Sequence, residues 1–395
     1  DNPVYRDMTV EDSNINGTGK YVGGVVGYGA CSYCTVNNTT VHGKEYVGGV
    51  VGYQQGDYNY GNEVNDSHIS GTAYYIGGIY GHTRYNYNMY LNHSTVEGTG
   101  VSTHSVGGIA GYRSGYGVLY RSGVLDSTII NAGDKTGGIY GRTSGDARIY
   151  NTYVVDTNIS GNNQVGGAIG EQYNTGRLYD SIISRTNVSA AGNFAGGIIG
   201  YYYNNSDYGA YEEGFVQEMS AENVHVSANH YAGGIFGGTY DTLYYGSRVR
   251  RNYFEGTVST VSGINAGFGS GDTRNLEVIR QPKMYFYDNS LVNGEPIKNF
   301  AGTPTIDEIN LIENVSYSPG YITSGKPTYD PNDVNALYSD FIQLKAGKTY
   351  FIDVDYITTA QSAYDIFLYS ADQVYVSSIT SSSVDSYITA YHGVS

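Results

Sequence analysis

Tyr21-Val22-Gly23-Gly24-Val25-Val26-Gly27 is the phrase on which the reading of this chain turns, because it returns. It comes back as Tyr46-Val-Gly-Gly-Val-Val-Gly52, Tyr75-Ile-Gly-Gly-Ile-Tyr-Gly81, Ser105-Val-Gly-Gly-Ile-Ala-Gly111 and Lys135-Thr-Gly-Gly-Ile-Tyr-Gly141. Further copies read Gln164-Val-Gly-Gly-Ala-Ile-Gly170, Phe194-Ala-Gly-Gly-Ile-Ile-Gly200 and Tyr231-Ala-Gly-Gly-Ile-Phe-Gly237, with a worn ninth at Asn265-Ala-Gly-Phe-Gly269. The first glycine of each intact pair falls at 23, 48, 77, 107, 137, 166, 196 and 233, in steps of 25 to 37 residues. A period of this kind marks stacked supersecondary units and is sought before anything else.

A second anchor precedes each phrase. A short polar residue, usually followed by Ser or Thr, stands three positions before a β-branched one: Asp12-Ser-Asn-Ile15, Asn38-Thr-Thr-Val41, Asp66-Ser-His-Ile69, His93-Ser-Thr-Val96, Asp126-Ser-Thr-Ile129, Asp156-Thr-Asn-Ile159, Arg185-Thr-Asn-Val188 and Asn223-Val-His-Val226. From the β-branched residue to the next glycine pair the interval is seven or eight residues, apart from eleven after Val96, while the return arm runs from 18 to 30. Insertions therefore collect on one side. Alternation with β-branched residues indicates strands, and a period near 30 residues without helical spacing indicates one coil of a β-solenoid per repeat. No coil buries its apolar face alone. Stacking at about 4.8 Å then builds a ladder core from Ile15, Val41, Ile69, Val96 and Ile129. The glycine pairs are expected at corners, where positive φ and close backbone approach are tolerated and the next apolar pair turns inward.

The repeated Val-Gly-Gly-Val-Val-Gly phrase resembles the GLUG motif of bacterial surface proteins. Such repeats occur in adhesin-like proteins and in the non-catalytic N-terminal part of IgA-protease-type zinc metallopeptidases. The resemblance spans about residues 5 to 270 and implies a scaffold without catalytic residues. The peptidase signature His-Glu-x-x-His is absent, since none of the eight histidines is followed by Glu.

Composition changes late in the chain. Fifty of the 56 glycines precede residue 281, and six of the seven prolines follow it. The expected architecture is all-β: a parallel-β-helix-like solenoid of about nine coils over residues 1–280, a cap or connector over 281–315, and a small β-sandwich over 316–395. Within the last part, Tyr338 to Asp355 reads as two strands joined around Ala346-Gly347-Lys348, and Tyr364–Tyr369 and Val374–Val376 read as two more. The phrase Ser339-Asp-Phe-Ile-Gln-Leu-Lys-Ala-Gly-Lys-Thr-Tyr350 resembles small jelly-roll modules, often carbohydrate-binding-like, of phage tail and Gram-positive surface proteins.

Charge narrows the partners. With 395 residues and a net charge of −16, the chain repels phosphate, so neither nucleic acid nor an anionic membrane face is expected as a partner. No stretch reaches the roughly 18 apolar residues that span a bilayer as a helix. A start at Asp1 rather than Met leads us to expect a processed product or a segment of something longer. Charged residues make up only 15% of the chain, which suits a turn-rich β protein with a neutral polar surface. Cys31-x-x-Cys34 has no second pair to complete the four ligands of structural zinc, leaving a local disulfide or two thiols.

Tyrosine is the residue type most worth following, with 45 copies and no Trp. Solenoid-equivalent positions fall on one side, so tyrosines of the return arms are expected to form an aromatic wall. The candidates for a ligand or assembly surface are Tyr58, Tyr60, Tyr85, Tyr87, Tyr116, Tyr202, Tyr203, Tyr208, Tyr211, Tyr244 and Tyr245, with Tyr53, Tyr80, Tyr112, Tyr120 and Tyr240 in the same arms. Such rings suit sugar stacking or a protein interface, or they stack on one another and cover the core. Asp66, Asp126 and Asp156 recur at one repeat position, but Asn38, His93 and Arg185 replace them elsewhere, which fits turn capping better than calcium or acid catalysis. Asp330-Pro-Asn-Asp333 is likewise read as a turn. The histidines share no metal spacing, and no catalytic residue, cofactor or metal site is nominated.

The leading expectation is a non-enzymatic adhesin-like protein, extracellular, on a cell surface or on a virion, that binds glycans or surface proteins. Its rivals are a structural subunit of a filament or phage tail appendage, self-associating through the tyrosine arms, and the accessory region of a larger secreted peptidase.

Overall fold

A computed structural model of the chain describes residues 4–56, 58–173, 176–204, 215–241, 248–250, 252–262 and 264–266, and beyond these the backbone of strand segments between Tyr285 and Thr389. Among the described residues every regular element is a strand. The chain divides into two units, Asp1–Glu308 and Ile309–Ser395.

The first unit is a β-solenoid of about eight turns, built from in-register parallel strands. One coil shows the plan. A first strand, Tyr58–Tyr60, leads to a second, Glu63–Asn65, and a third, His68–Gly71. A fourth, Tyr75–Gly77, enters the glycine phrase, and a fifth, Tyr80–Thr83, leaves it. Fourth strands form one nine-stranded sheet and fifth strands another, while the first three share a wide sheet. Ile264–Ala266 pairs with Tyr231–Gly233, so the opening of the worn ninth phrase forms the last rung of the fourth-strand sheet among the described residues.

The expected core ladder is present: Val41, Ile69, Val96, Ile129, Ile159 and Val188 are buried on successive third strands, and Ile15 packs partly buried against them. It belongs to a finer pattern. Inward residues recur every fifth position, as in Leu119, Val124 and Ile129, then Ile149, Val154 and Ile159, then Leu178, Ile183 and Val188. Between them, one residue per corner takes a left-handed conformation. Arg121, Asn151 and Asp180 do so at φ 49°, 50° and 43°, and five residues later Asp126, Asp156 and Arg185 do so at 43°, 52° and 48°. A three-residue strand followed by one left-handed residue makes a flat side and a bend, repeated.

These bends revise the expected role of the polar anchors. Asp12, Asn38, Asp66, His93, Asp126, Asp156, Arg185 and Asn223 all have φ between 43° and 53°. Their backbone turns the chain, which is why Asn and Asp, the residues most tolerant of this region, predominate. Capping falls to the hydroxyl that follows. The Ser67 hydroxyl accepts the Thr39 N–H at 3.0 Å and donates to the Asn65 carbonyl at 2.6 Å. Ser94 and Ser127 repeat the arrangement one and two coils on. A buried hydroxyl column thus satisfies backbone groups that the bend withdraws from the ladder.

The glycine phrase makes a different feature. None of the doublet glycines of the eight intact phrases has positive φ, so the expected positive-φ corner is replaced by close approach. A Cβ on Gly137 would fall on the Tyr140 carbonyl and lie 2.7 Å from the Gly170 nitrogen; one on Gly141 would lie 2.6 Å from the Val106 nitrogen. The fourth and fifth strands therefore touch backbone to backbone, with no room for side chains between them.

Cys31 and Cys34 form a disulfide bridging the first bend, with both residues fully buried. A loop this short contributes about 2 kcal/mol or less by chain entropy. We expect an alkylating reagent to leave both sulfurs unmodified in the native protein even with a thiol reductant present, and to modify both after denaturation, as read by intact mass. Native labelling would show that this coil opens.

In the second unit the described segments pair antiparallel: Tyr317–Thr323 with Lys326–Tyr329 and with Leu337–Ser339, Thr349–Asp353 with Asp385–Thr389, and Tyr364–Tyr369 with Tyr375–Ser381. The Ala346-Gly347-Lys348 junction, the packing expected of a sandwich and the Asp330-Pro-Asn-Asp333 turn lie outside the described residues. Of the segment expected to be a cap, Tyr285–Tyr287 and Leu291–Val292 continue the wide sheet in parallel with Arg248–Arg250 and Tyr253–Thr260.

Candidate functional site

The outward residues of the first strands form the expected tyrosine wall. Tyr58 pairs in register with Tyr85, and Tyr60 with Tyr87; Tyr87 continues to Tyr120, Tyr150 and Tyr179 on the next three coils. Ring centroids lie 5.1 Å apart for Tyr58 and Tyr85, 5.2 Å for Tyr60 and Tyr87, and 5.1 Å for Tyr150 and Tyr179. Tyr58 is 52% exposed and the row behind it is half-buried.

The other candidates separate. Tyr116, 69% exposed, lies in the loop between a fifth and a first strand rather than in the row. Tyr203 stacks on Tyr173 at 4.7 Å and 10°, on a row of its own. Tyr202 is a correction: it is only 1% exposed and points into the core beside Phe236, because alternation along the fifth strand puts it on the inner face. Tyr80, three register positions nearer the glycine phrase, is buried as well, accepting a hydrogen bond from Asn62 Nδ2 at 2.6 Å. Tyr208, Tyr211, Tyr244 and Tyr245 lie outside the described residues, and so does the side chain of Tyr240.

A second row joins two of the expected arm tyrosines, Tyr53 and Tyr112, to aromatic residues that open the glycine phrase. Tyr21, Tyr46 and Tyr75 open successive phrases, and Tyr28, Tyr53, His82 and Tyr112 stand seven residues further on. Because the phrase folds back on itself, both sets share one flank. Tyr21 lies 5.2 Å from Tyr28, Tyr28 stacks on Tyr53 at 5.4 Å, Tyr53 on His82 at 4.4 Å, and Tyr75 on Tyr112 at 4.7 Å. The strip ends in charge: Arg142 lies over the Tyr112 ring and its Nε is 2.7 Å from Glu171 Oε2, with Lys135 Nζ at 3.8 Å from the same oxygen. The signal for this strip was in the sequence, as an aromatic at the first position of the phrase and another seven residues on.

Stacking decides what these rows offer. Near-parallel neighbours, as at 14° for Tyr28 with Tyr53 and 14° for Tyr150 with Tyr179, spend their ring faces on each other. What remains toward solvent is edges and hydroxyls, repeated at the strand spacing. At three of these phenols, Tyr46, Tyr75 and Tyr87, the protonated form is favoured. Burial first, and the neighbouring phenols of Tyr75, Tyr21 and Tyr53 next, push Tyr46 up to about 12, and burial also raises Tyr75 and Tyr87. The rows are therefore ladders of hydrogen-bonding groups.

No protein-family model, curated protein or solved structure matches the chain. The likeness to GLUG repeats accordingly rests on the repeated phrase. Among the described residues no cluster of His, Cys, Asp and Glu is placed to hold a metal ion, and no helix is long and apolar enough to cross a membrane.

Proposed function

We propose that the chain is a non-enzymatic, extracellular, adhesin-like repeat protein whose solenoid flank binds glycans or surface proteins. The supporting observation is the in-register tyrosine row from Tyr60 through Tyr179, which offers one hydroxyl per coil along an extended track. A polymer with hydroxyls and ring oxygens at regular intervals suits such a track, since each coil meets the next repeat unit with the same group. The buried Cys31–Cys34 disulfide supports an oxidising compartment, where such bonds form and persist. The N-terminal unit acts in this reading as a ruler that fixes the spacing of weak contacts.

The test removes hydroxyls and keeps the stack. The quadruple change Tyr58→Phe, Tyr60→Phe, Tyr85→Phe and Tyr87→Phe preserves the rings, and on a glycan array it is expected to weaken retention about tenfold, as lost hydrogen bonds of about 1 kcal/mol each accumulate incompletely. If neither the array nor a pull-down on cell-surface proteins returns a ligand for the unaltered chain, the reading fails.

A further inference from the structure

Composition decides which side chain of this molecule would give up an electron. The chain has 45 tyrosines and no Trp, and both of its cysteines are joined in the buried Cys31–Cys34 disulfide. Trp and free thiols are the side chains that otherwise compete with a phenol for a one-electron oxidant. An oxidation of that kind therefore ends on tyrosine. What the resulting radical does then depends on whether a second ring stands within reach.

Two exposed tyrosines show both cases. Tyr116, 69% exposed, is the most accessible phenol among the described residues, and no described ring stacks on it. Tyr58, 52% exposed, heads the outward row and has its ring neighbours on the next coil. Tyr85 stands opposite it in register, with centroids 5.1 Å apart and planes at 40°, and Tyr87 lies at 6.3 Å. The angle matters because a bond between ring carbons needs the rings to meet edge to edge. Tyr60 and Tyr87, at 20°, and Tyr28 and Tyr53, at 14°, lie face on face instead. Tyr21 and Tyr28 are tilted at 46°, but Tyr21 is also held by Tyr46, Tyr53 and the Lys20 ammonium. Tyr58 has ring neighbours on one side only, and its exposure leaves it room to turn toward Tyr85 while the ladder keeps the two strands in register.

We propose that Tyr58 and Tyr85 form an oxidative cross-linking site, at which a peroxidase using hydrogen peroxide joins two consecutive coils through a dityrosine bond. Each phenol loses one electron and its hydroxyl proton. The two phenoxyl radicals couple through the ring carbons ortho to their oxygens, and the hydrogens displaced from those carbons pass to the oxygens and restore both hydroxyls. Two electrons and two protons have then left the protein, and hydrogen peroxide takes them up to become two molecules of water. The register supplies the second ring in advance, which turns an encounter between two chains into a reaction within one. Because the new bond uses ring carbons, the row keeps its hydroxyls, and the cross-link is independent of what the flank binds.

The test exposes the dilute full chain to a haem peroxidase with limiting hydrogen peroxide and follows the intact mass, the dityrosine fluorescence and the peptides released by trypsin, which cuts between the two rings at Arg84. The expected product is a monomer lighter by two hydrogens, in which the peptide carrying Tyr58 is joined to the one carrying Tyr85. Tyr85→Phe keeps the ring but yields no phenoxyl radical there, so most of the monomer's dityrosine should be lost, whereas Tyr116→Phe should leave it unchanged. A circular dichroism spectrum matching the parent's shows that the loss in Tyr85→Phe is not unfolding. In urea, with the coils apart, the link between Tyr58 and Tyr85 should disappear. An equal yield of that link from the unfolded chain, covalent dimers through Tyr116 in place of the monomer product, or links that map to other tyrosine pairs would each overturn the inference and leave the glycan reading untouched.

Discussion

Gly137→Ala is expected to destabilise the solenoid by about 4 kcal/mol, lowering its thermal midpoint by about 10 °C, while Gly19→Ala changes stability by less than about 0.5 kcal/mol. The two differ by a single methyl group in each case. At Gly137 that methyl would fall on the carbonyl oxygen of Tyr140 and stand 2.7 Å from the nitrogen of Gly170 and 2.8 Å from the carbonyl oxygen of Ala168. All three atoms are backbone, two of them in the next coil, so no side-chain rotation relieves the overlap. The fourth and fifth strands must part, and parting them here breaks in-register ladders on both sides. At Gly19, nothing lies within 4 Å of the added carbon. Because each coil is stabilised chiefly by its neighbours, a parted coil in the middle also divides the array, and unfolding of the Gly137 variant should lose its single cooperative transition. Circular dichroism melts of both variants check this, and a Gly137→Ala midpoint within 2 °C of the parent would show that the two sheets separate without cost.

The repeat was legible because a glycine pair is costly to keep unless the backbone requires it, and this chain keeps eight. Legible too was the third-strand ladder, since Val41, Ile69 and Val96 carry β-branched side chains at one fixed place. The polar anchors were legible as turns, but the bend five residues before them, at Arg121, Asn151 and Asp180, was not, for a physical reason. A left-handed residue is recognised by Asn, Asp or Gly, but in this chain the position also holds His93, Arg121, Arg185 and Glu218, held there by ladder bonds on both sides. Their regular spacing of five residues, matched by apolar residues at the same spacing, was the available signal, and alternation alone hid it. The tyrosine wall was legible in position and only partly in orientation. Tyr58, Tyr60, Tyr85 and Tyr87 face outward on short strands, whereas in Tyr201-Tyr202-Tyr203 the middle ring faces inward, three residues after the buried Ile199, so the fifth strand does not carry one unbroken alternation out of the glycine phrase. Of the strip from Tyr21 to Tyr112, the sequence showed Tyr53 and Tyr112 as arm tyrosines, but not that Tyr21, Tyr46 and Tyr75 join them, because the two halves meet only by the folding of the phrase that separates them.

That same strip gives the molecule a dependence on acid. His82 stands where neighbouring coils have Tyr53 and Tyr112, 4% exposed, with its ring flat on Tyr53 and its Nε2 2.9 Å from the Ser114 hydroxyl. Its Nδ1 is buried without a protein partner, and the nearest charged groups are the cations of Arg84 and Arg113. Burial first, then those two guanidiniums, pull its pKa from 6.5 down to about 4. A group whose native pKa is depressed contributes its stability in full above the unfolded value and loses it as pH falls through the folded one. The window therefore runs from about pH 6.5 to about pH 4, and the loss is about 2 kcal/mol by pH 5 and about 3 kcal/mol by pH 4. Carboxylates titrate in the lower part of this range as well, so the informative quantity is the difference between two curves. Tyrosine is the natural substitute, since the rungs above and below already carry it. We expect His82→Tyr to be the more acid-resistant protein, with a denaturation midpoint that stays level between pH 7 and pH 5 while that of the parent declines. Parallel decline of both would place the proton elsewhere and leave His82 as packing only.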